Sequence, residues 1–226
     1  MNKSYTKIVS HYESCLDRHG DNHLGVDWPN ADDAATRYEV MLGMVDRTAE
    51  PKPTLLDFGC GAGHLYEYLK RWDDAPVEYA GLDLSEKFVR LCREKFPDRT
   101  FYHVDVLQSA QTLPRFDYVV MNGVFTEKRE LDYDKMFAYF ARLIETVFAL
   151  TRVAMAFNVM SKHVQWERQD LFHVPFDQMA DLLVNRVTPH FQFRNDYGLY
   201  EYTTYAYRKP SKDLSWPVSS FSAPVT

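Results

Sequence analysis

Hydrophobic residues recur along this chain with two alternating periods. Near the N-terminus Ile8, Tyr12 and Cys15/Leu16 fall at helical spacing. After a Gly-, Asp-, Asn- and Pro-containing loop (20–29), Asn30 reads as the cap of a second helix with Ala34, Tyr38, Met41/Leu42 and Val45 on one face. Pro51 and Pro53 close this segment. From there short apolar runs alternate with amphipathic ones. Strands are predicted at Thr54–Phe58, Val77–Leu82, Phe101–Val104, Asp117–Met121 and Arg152–Phe157. Helices are predicted at His64–Arg71, at Ser85–Phe96 (Phe88, Leu91/Cys92 and Phe96 inward) and at Asp134–Leu150 (Met136, Phe140, Leu143/Ile144, Val147). Strands alternating with helices imply a parallel sheet covered on both faces. The end differs: Phe191–Tyr197 and Leu199–Arg208 are too close for a parallel crossover, so an antiparallel hairpin is expected.

Composition narrows the class. A chain of 226 residues, 46% hydrophobic and 26% charged, suits one large α/β domain. A net charge of −6 gives no general attraction to nucleic acid or anionic lipid, so neither is expected as a partner. The three cysteines (Cys15, Cys60, Cys92) are scattered, read as reduced thiols, and lack metal-ligand spacing; nor do the histidines show it, so no metal is expected. With no apolar run of signal-peptide or transmembrane length, a cytoplasmic location is the default expectation.

The chemistry concentrates where the first strand hands over to its helix. Asp57-Phe-Gly-Cys-Gly-Ala-Gly63 is a glycine-rich bend, where missing Cβ atoms let a ligand lie against the backbone. The dinucleotide fingerprint needs glycines at 59, 61 and 64; position 64 is His64, which weakens that reading. Asp83 ends the second strand, where a carboxylate can accept bonds from ribose hydroxyls, and Asp105 follows the third.

Leu55–Leu65, Tyr79–Ser85 and Asp105–Leu107 resemble, in order and spacing, the first three motifs of the class I S-adenosylmethionine (SAM)-dependent methyltransferases. Asp117–Val124 is similar to their fourth motif, and the likeness spans roughly residues 35–208. It implies a doubly wound, mostly parallel seven-stranded sheet with an antiparallel C-terminal hairpin, helices on both faces and an N-terminal helical lid. The expected division is residues 1–50 as lid and substrate segment, 51–209 as SAM-binding core, and 210–226 as an irregular tail.

Carried over position by position, the resemblance implies that Asp57 and the Gly59, Cys60, Gly61 and Gly63 backbone contact the methionine part of SAM. Asp83 would hold the ribose and Leu84 would pack on adenine. Asp105 would face the adenine amino group with the Val106 amide nearby, and Asn122 and Gly123 would border the reactive end. Arg37 is a candidate for the SAM carboxylate, with pairing to Asp33 or Glu39 the equal alternative. Trp28 reads as a lid or an anchor.

The acceptor is expected to be a small polar molecule methylated on a hydroxyl, such as a sugar, nucleotide-sugar or secondary metabolite. After the fourth strand Asn122-Gly-Val-Phe125 lacks the two prolines usual in amino-methylating relatives. Tyr5, His11, Tyr12, Trp28 and Tyr38, the 157–173 segment and the 195–205 hairpin are the segments that could form its pocket. His173 and His163, with Glu127 behind them, are candidate bases, since a neutral histidine suits proton removal near pH 7. The other readings are a SAM-fold scaffold or regulatory subunit without methyl transfer and a nucleotide-dependent dehydrogenase. Oligomerisation is left open.

Overall fold

The computed structural model describes residues 6–72 and 74–210; the predicted irregular tail and Tyr5 lie outside the described residues, except for Pro210. The helices are α1 (Thr6–His19), α2 (Asp32–Leu42), α3 (His64–Leu69), α4 (Glu86–Lys95), α5 (Val106–Ser109), α6 (Tyr133–Ala149) and α7 (Phe176–Arg186). The strands are β1 (Thr54–Phe58), β2 (Glu78–Asp83), β3 (Thr100–His103), β4 (Phe116–Met121), β5 (Thr151–Ser161), β6 (His173–Val174), β7 (Phe191–Arg194) and β8 (Glu201–Tyr207).

One sheet runs β3-β2-β1-β4-β5-β8-β7, with the two-residue β6 pairing the far end of β5. The first five strands are mutually parallel, and β8 runs antiparallel to both β5 and β7. The expected mostly parallel sheet with a reversed finish is therefore present, with β6 as an eighth strand. Alternation of side chains along each strand feeds a core on each face. Val119 and Met121 of β4 and Met155, Phe157 and Val159 of β5 pack with α6 and α7. Tyr118, Val120, Ala154 and Ala156 point the other way, toward α2, α3 and α4. The α6 stripe (Met136, Phe140, Ile144, Val147) is fully buried, so Phe140→Ala would cost about 3–5 kcal/mol.

Three local readings are corrected. α2 begins at Asp32, because Asn30 Oδ1 accepts from the Asp32 amide in a turn preceding the helix. β5 continues four residues past Phe157, since β8 pairs with it from Ala154 to Met160. α7 is absent from the expected elements, although Pro175 at its N-cap and Phe176, Met179, Leu182 and Leu183 at helical spacing carry the signal. No described helix is long and apolar enough to cross a membrane.

Candidate functional site

The β1–α3 bend, the tips of β2, β3 and β4, and the N-terminal segment enclose a cavity of about 1170 Å³, its mouth included. Its floor is Asp57, Gly59, Cys60 and Gly61; its side walls include Asp83, Leu84, Asp105, Val106, Asn122 and Gly123. Its roof is Ile8, Val9, Tyr12, Val26 and Trp28.

The bend turns on left-handed backbone at Gly59 (φ 76°), Gly61 (φ 51°) and Gly63 (φ 79°), conformations costly for residues with a Cβ. Four of its amides are already engaged. Gly59 and Cys60 donate to Leu82 O (2.7 and 3.0 Å), Gly61 to Asp83 Oδ2 (2.9 Å) and Gly63 to Cys60 O (2.9 Å). A bend that binds phosphate keeps such N–H groups free for the anion. Here three of them tie the end of β1 to β2 instead.

Three carboxylates line the cavity, and no lysine or arginine does so among the described residues. Asp57 is buried and accepts from Tyr79 OH at 2.8 Å. Burial, helped by nearby Asp83 and opposed by the Tyr79 bond, raises its pKa to about 7. Asp83 accepts from the Ser85 amide (2.8 Å) as well as from Gly61, and burial raises its pKa also. A carboxylate has about four acceptor sites, so these two bonds leave room for a ligand's donors. Asp105 caps α5 through the Leu107 amide (3.1 Å) and bonds to Gln108. Asn122 Oδ1 is buried with no hydrogen-bond partner, a costly state that a ligand donor would relieve.

The structure brings all but two of the expected cofactor residues to this cavity. Gly63 is one exception: a Cβ there would meet Phe96 at 2.8 Å and Cys92 Sγ at 3.2 Å, so this glycine lets α3 approach α4. Arg37 is the other. It is drawn away by Glu201, which its NH2 reaches at 2.9 Å, rather than by Asp33, Glu39 or the cavity.

None of the three candidate bases lines the cavity. His173 is buried, its Nδ1 2.7 Å from Ser161 O while its Nε2 accepts from the Arg168 amide at 3.4 Å, so both ring nitrogens serve the backbone. His163 stacks on Phe176 with centroids 5.2 Å apart. Glu127 pairs with Arg129 (3.1 Å) behind the wall, its pKa raised by burial. The 162–172 segment instead borders a shallow basin facing residues 128–133.

Tyr139, Phe88 and His64 line the cavity without being among the expected site residues; Tyr139 lies on the α6 face beside its core stripe, a position only the packing reveals. His11, Cys15 and Asp27 gather their ligand atoms within 4.8 Å, which chain spacing does not suggest. The Arg18 guanidinium, 3.3 Å from Cys15 Sγ, supplies positive charge to that group.

A family model described as a methyltransferase domain matches residues 56–145, from β1 into α6. Residues 56–145 thus carry a methyltransferase domain. Among relatives, Rv1506c of Mycobacterium tuberculosis (strain H37Rv), classed by name as a methyltransferase, is 28% identical over 152 residues, covering 65% of this chain and 88% of its own. The magnesium protoporphyrin IX methyltransferase of Synechocystis PCC 6803, solved with bound S-adenosylhomocysteine, has a TM-score of 0.62 at 17% identity, covering 90% of this chain and all of its own. The pyocyanin biosynthetic protein PhzM has a TM-score of 0.61 at 14% identity, with 91% and 68% covered. At these identities the two structures speak for the fold.

Proposed function

We propose that the cavity binds SAM and that the enzyme methylates a hydroxyl of a small, uncharged acceptor with an apolar face. The observation that supports this most strongly is the pairing of three carboxylates with a bend most of whose amides are spent. Such a site favours a cation bearing hydroxyls over a pyrophosphate. The dehydrogenase reading loses ground on the same observation.

In this reading Asp57 faces the ammonium of the methionine part, Asp83 holds the ribose hydroxyls, and Leu84 packs on adenine. Asp105 and the Val106 amide meet the adenine edge, while Gly59, Cys60 and Gly61 give the close approach that a Cβ would block. Asn122 Oδ1, which lacks a partner, accepts a donor at the reactive end beside Gly123. When bound, SAM supplies a methyl group on a sulfonium leaving group, so the protein's task is alignment and exclusion of water.

The N-terminal segment to residue 50 acts as lid and acceptor wall, and residues 51–209 as core. That wall is apolar and aromatic and, among the described residues, carries no lysine or arginine for a phosphate, which supports a neutral alcohol or phenol over a nucleotide-sugar as acceptor. Tyr12 stays protonated, since burial and the Glu127 and Asp27 carboxylates raise its pKa. It orients the acceptor oxygen as a hydrogen-bond partner and takes no proton; the proton that the hydroxyl loses on methylation passes to water at the cavity mouth.

Calorimetry with SAM, S-adenosylhomocysteine and NADH tests the cofactor assignment: micromolar binding of the first two and none of NADH is expected. Binding of NADH alone would overturn it. Metabolite extracts incubated with methyl-labelled SAM then identify the acceptor, and a labelled phosphorylated product would refute the neutral-acceptor reading.

A further inference from the structure

Glu201 is a charged residue inside the sheet. It opens β8 opposite Met160 of β5 and is only 2% exposed. Arg37 Nε lies 3.1 and 3.0 Å from its two carboxylate oxygens, and Asn158 Nδ2 donates to Oε1 at 2.8 Å. Asn158, fully buried on β5, accepts from the Gly123 amide at 2.8 Å through Oδ1. Arg37 also lies over the Trp28 ring, 5.1 Å from its centroid. The Trp28 indole in turn rests against Gly123, where a Cβ would stand 3.5 Å from Nε1.

Two routes therefore leave the Glu201 carboxylate and meet at one residue. The first passes through Asn158 to the Gly123 amide. The second passes through Arg37 and the indole to the Gly123 α-carbon. A buried ion pair is seldom worth more to stability than apolar residues of similar volume. What it does fix is geometry.

We infer that Arg37, Glu201 and Asn158 are positioning residues, a clamp on Gly123 that sets where Asn122 and Trp28 stand at the methyl-transfer end of the cavity. This rests on the SAM reading of the cavity. The clamp joins the lid segment to the last strand of the sheet, so lid placement and cavity geometry are set together.

The test uses the full chain labelled with 15N-glycine and 5-fluorotryptophan, Gly123 and Trp28 signals being assigned by their loss in Gly123→Ala and Trp28→Phe. Arg37→Leu combined with Glu201→Leu removes both charges and leaves no unpaired ion. The double variant is expected to melt near the wild-type temperature. Its Gly123 amide should exchange at least about tenfold faster, the Trp28 fluorine signal should move while the other tryptophans' stay, and S-adenosylhomocysteine should bind about tenfold more weakly. A folded double variant with native Gly123 exchange and an unmoved Trp28 signal overturns the clamp.

Should that variant not fold, Glu201→Gln decides: it keeps an acceptor for Asn158 but takes away the charge and the second oxygen that hold Arg37. Its Trp28 signal should move while Gly123 stays protected; movement of neither overturns the proposal. Absent S-adenosylhomocysteine binding by the wild type would sink the SAM reading, whereas the coupling of Gly123 to Trp28 is read without ligand.

Discussion

Replacing Asp57 by asparagine removes a charge and almost nothing else. The carboxyl is 4% exposed, Tyr79 OH can still donate to the amide oxygen, and the side-chain volume is unchanged. Burial raises the Asp57 pKa from 3.8 to about 7 in the folded chain. One pKa unit is worth about 1.4 kcal/mol, so this group's linkage to folding amounts to roughly 4 kcal/mol. A carboxyl with a raised folded pKa holds its proton more tightly folded than unfolded. Its stabilising contribution is complete below about pH 4 and lost as pH rises through 7. The amide of the Asp57→Asn variant does not titrate. Urea unfolding of both proteins from pH 4 to 8 should therefore show the variant gaining on wild type by roughly 4 kcal/mol, because the other acids are common to both. Parallel curves, or a gain toward low pH, would refute the reasoning. In the proposed complex a bound cation favours ionised Asp57. SAM affinity of the wild type should rise with pH through about 7, with proton release visible in calorimetry across buffers, and the variant should show neither.

Asp83→Asn should weaken SAM binding by about 1.5–3 kcal/mol through loss of charge-assisted bonds, measured by calorimetry; unchanged affinity would exclude Asp83 from the site. Gly63→Ala, with φ at 79° and Phe96 2.8 Å from the added carbon, should cost about 1–3 kcal/mol of unfolding free energy. Its SAM affinity in the folded state should remain native, whereas Gly61→Ala should impair binding; the reverse order would contradict their separate placements. His173→Ala should lower stability by about 1–3 kcal/mol, since it strands the Ser161 carbonyl and Arg168 amide, with turnover per folded molecule unchanged. A large fall in turnover at full stability would restore it as a base.

The sheet and most of the cavity are legible in the sequence because their signals are local. The bend at Gly59–Gly61 and the carboxylates at Asp83 and Asp105 occupy strand tips, and parallel register brings such tips together. What escapes depends on residues distant in sequence. Arg37 meets a carboxylate 164 residues away, and nothing near position 37 announces Glu201. Gly63 sits in the same motif as Gly61, yet its Cα faces α4, a matter of helix packing. His173 reads as chemistry because it stands in a polar loop; only the fold shows its two nitrogens holding that loop's own backbone. α7 is different: its cap and stripe are present in the sequence, overshadowed by the polar segment before it.

The order of strands has a consequence for synthesis. β5 is eleven residues long, and along most of its length its second neighbour is β8, made last of the described strands. Until residues 201–207 have left the ribosome, a nascent chain holds a long, largely apolar β5 with unpaired peptide groups along one side, a template for pairing with other chains. A ribosome stalled between residues 161 and 200 would thus release a chain prone to aggregate, however well its first four strands had folded.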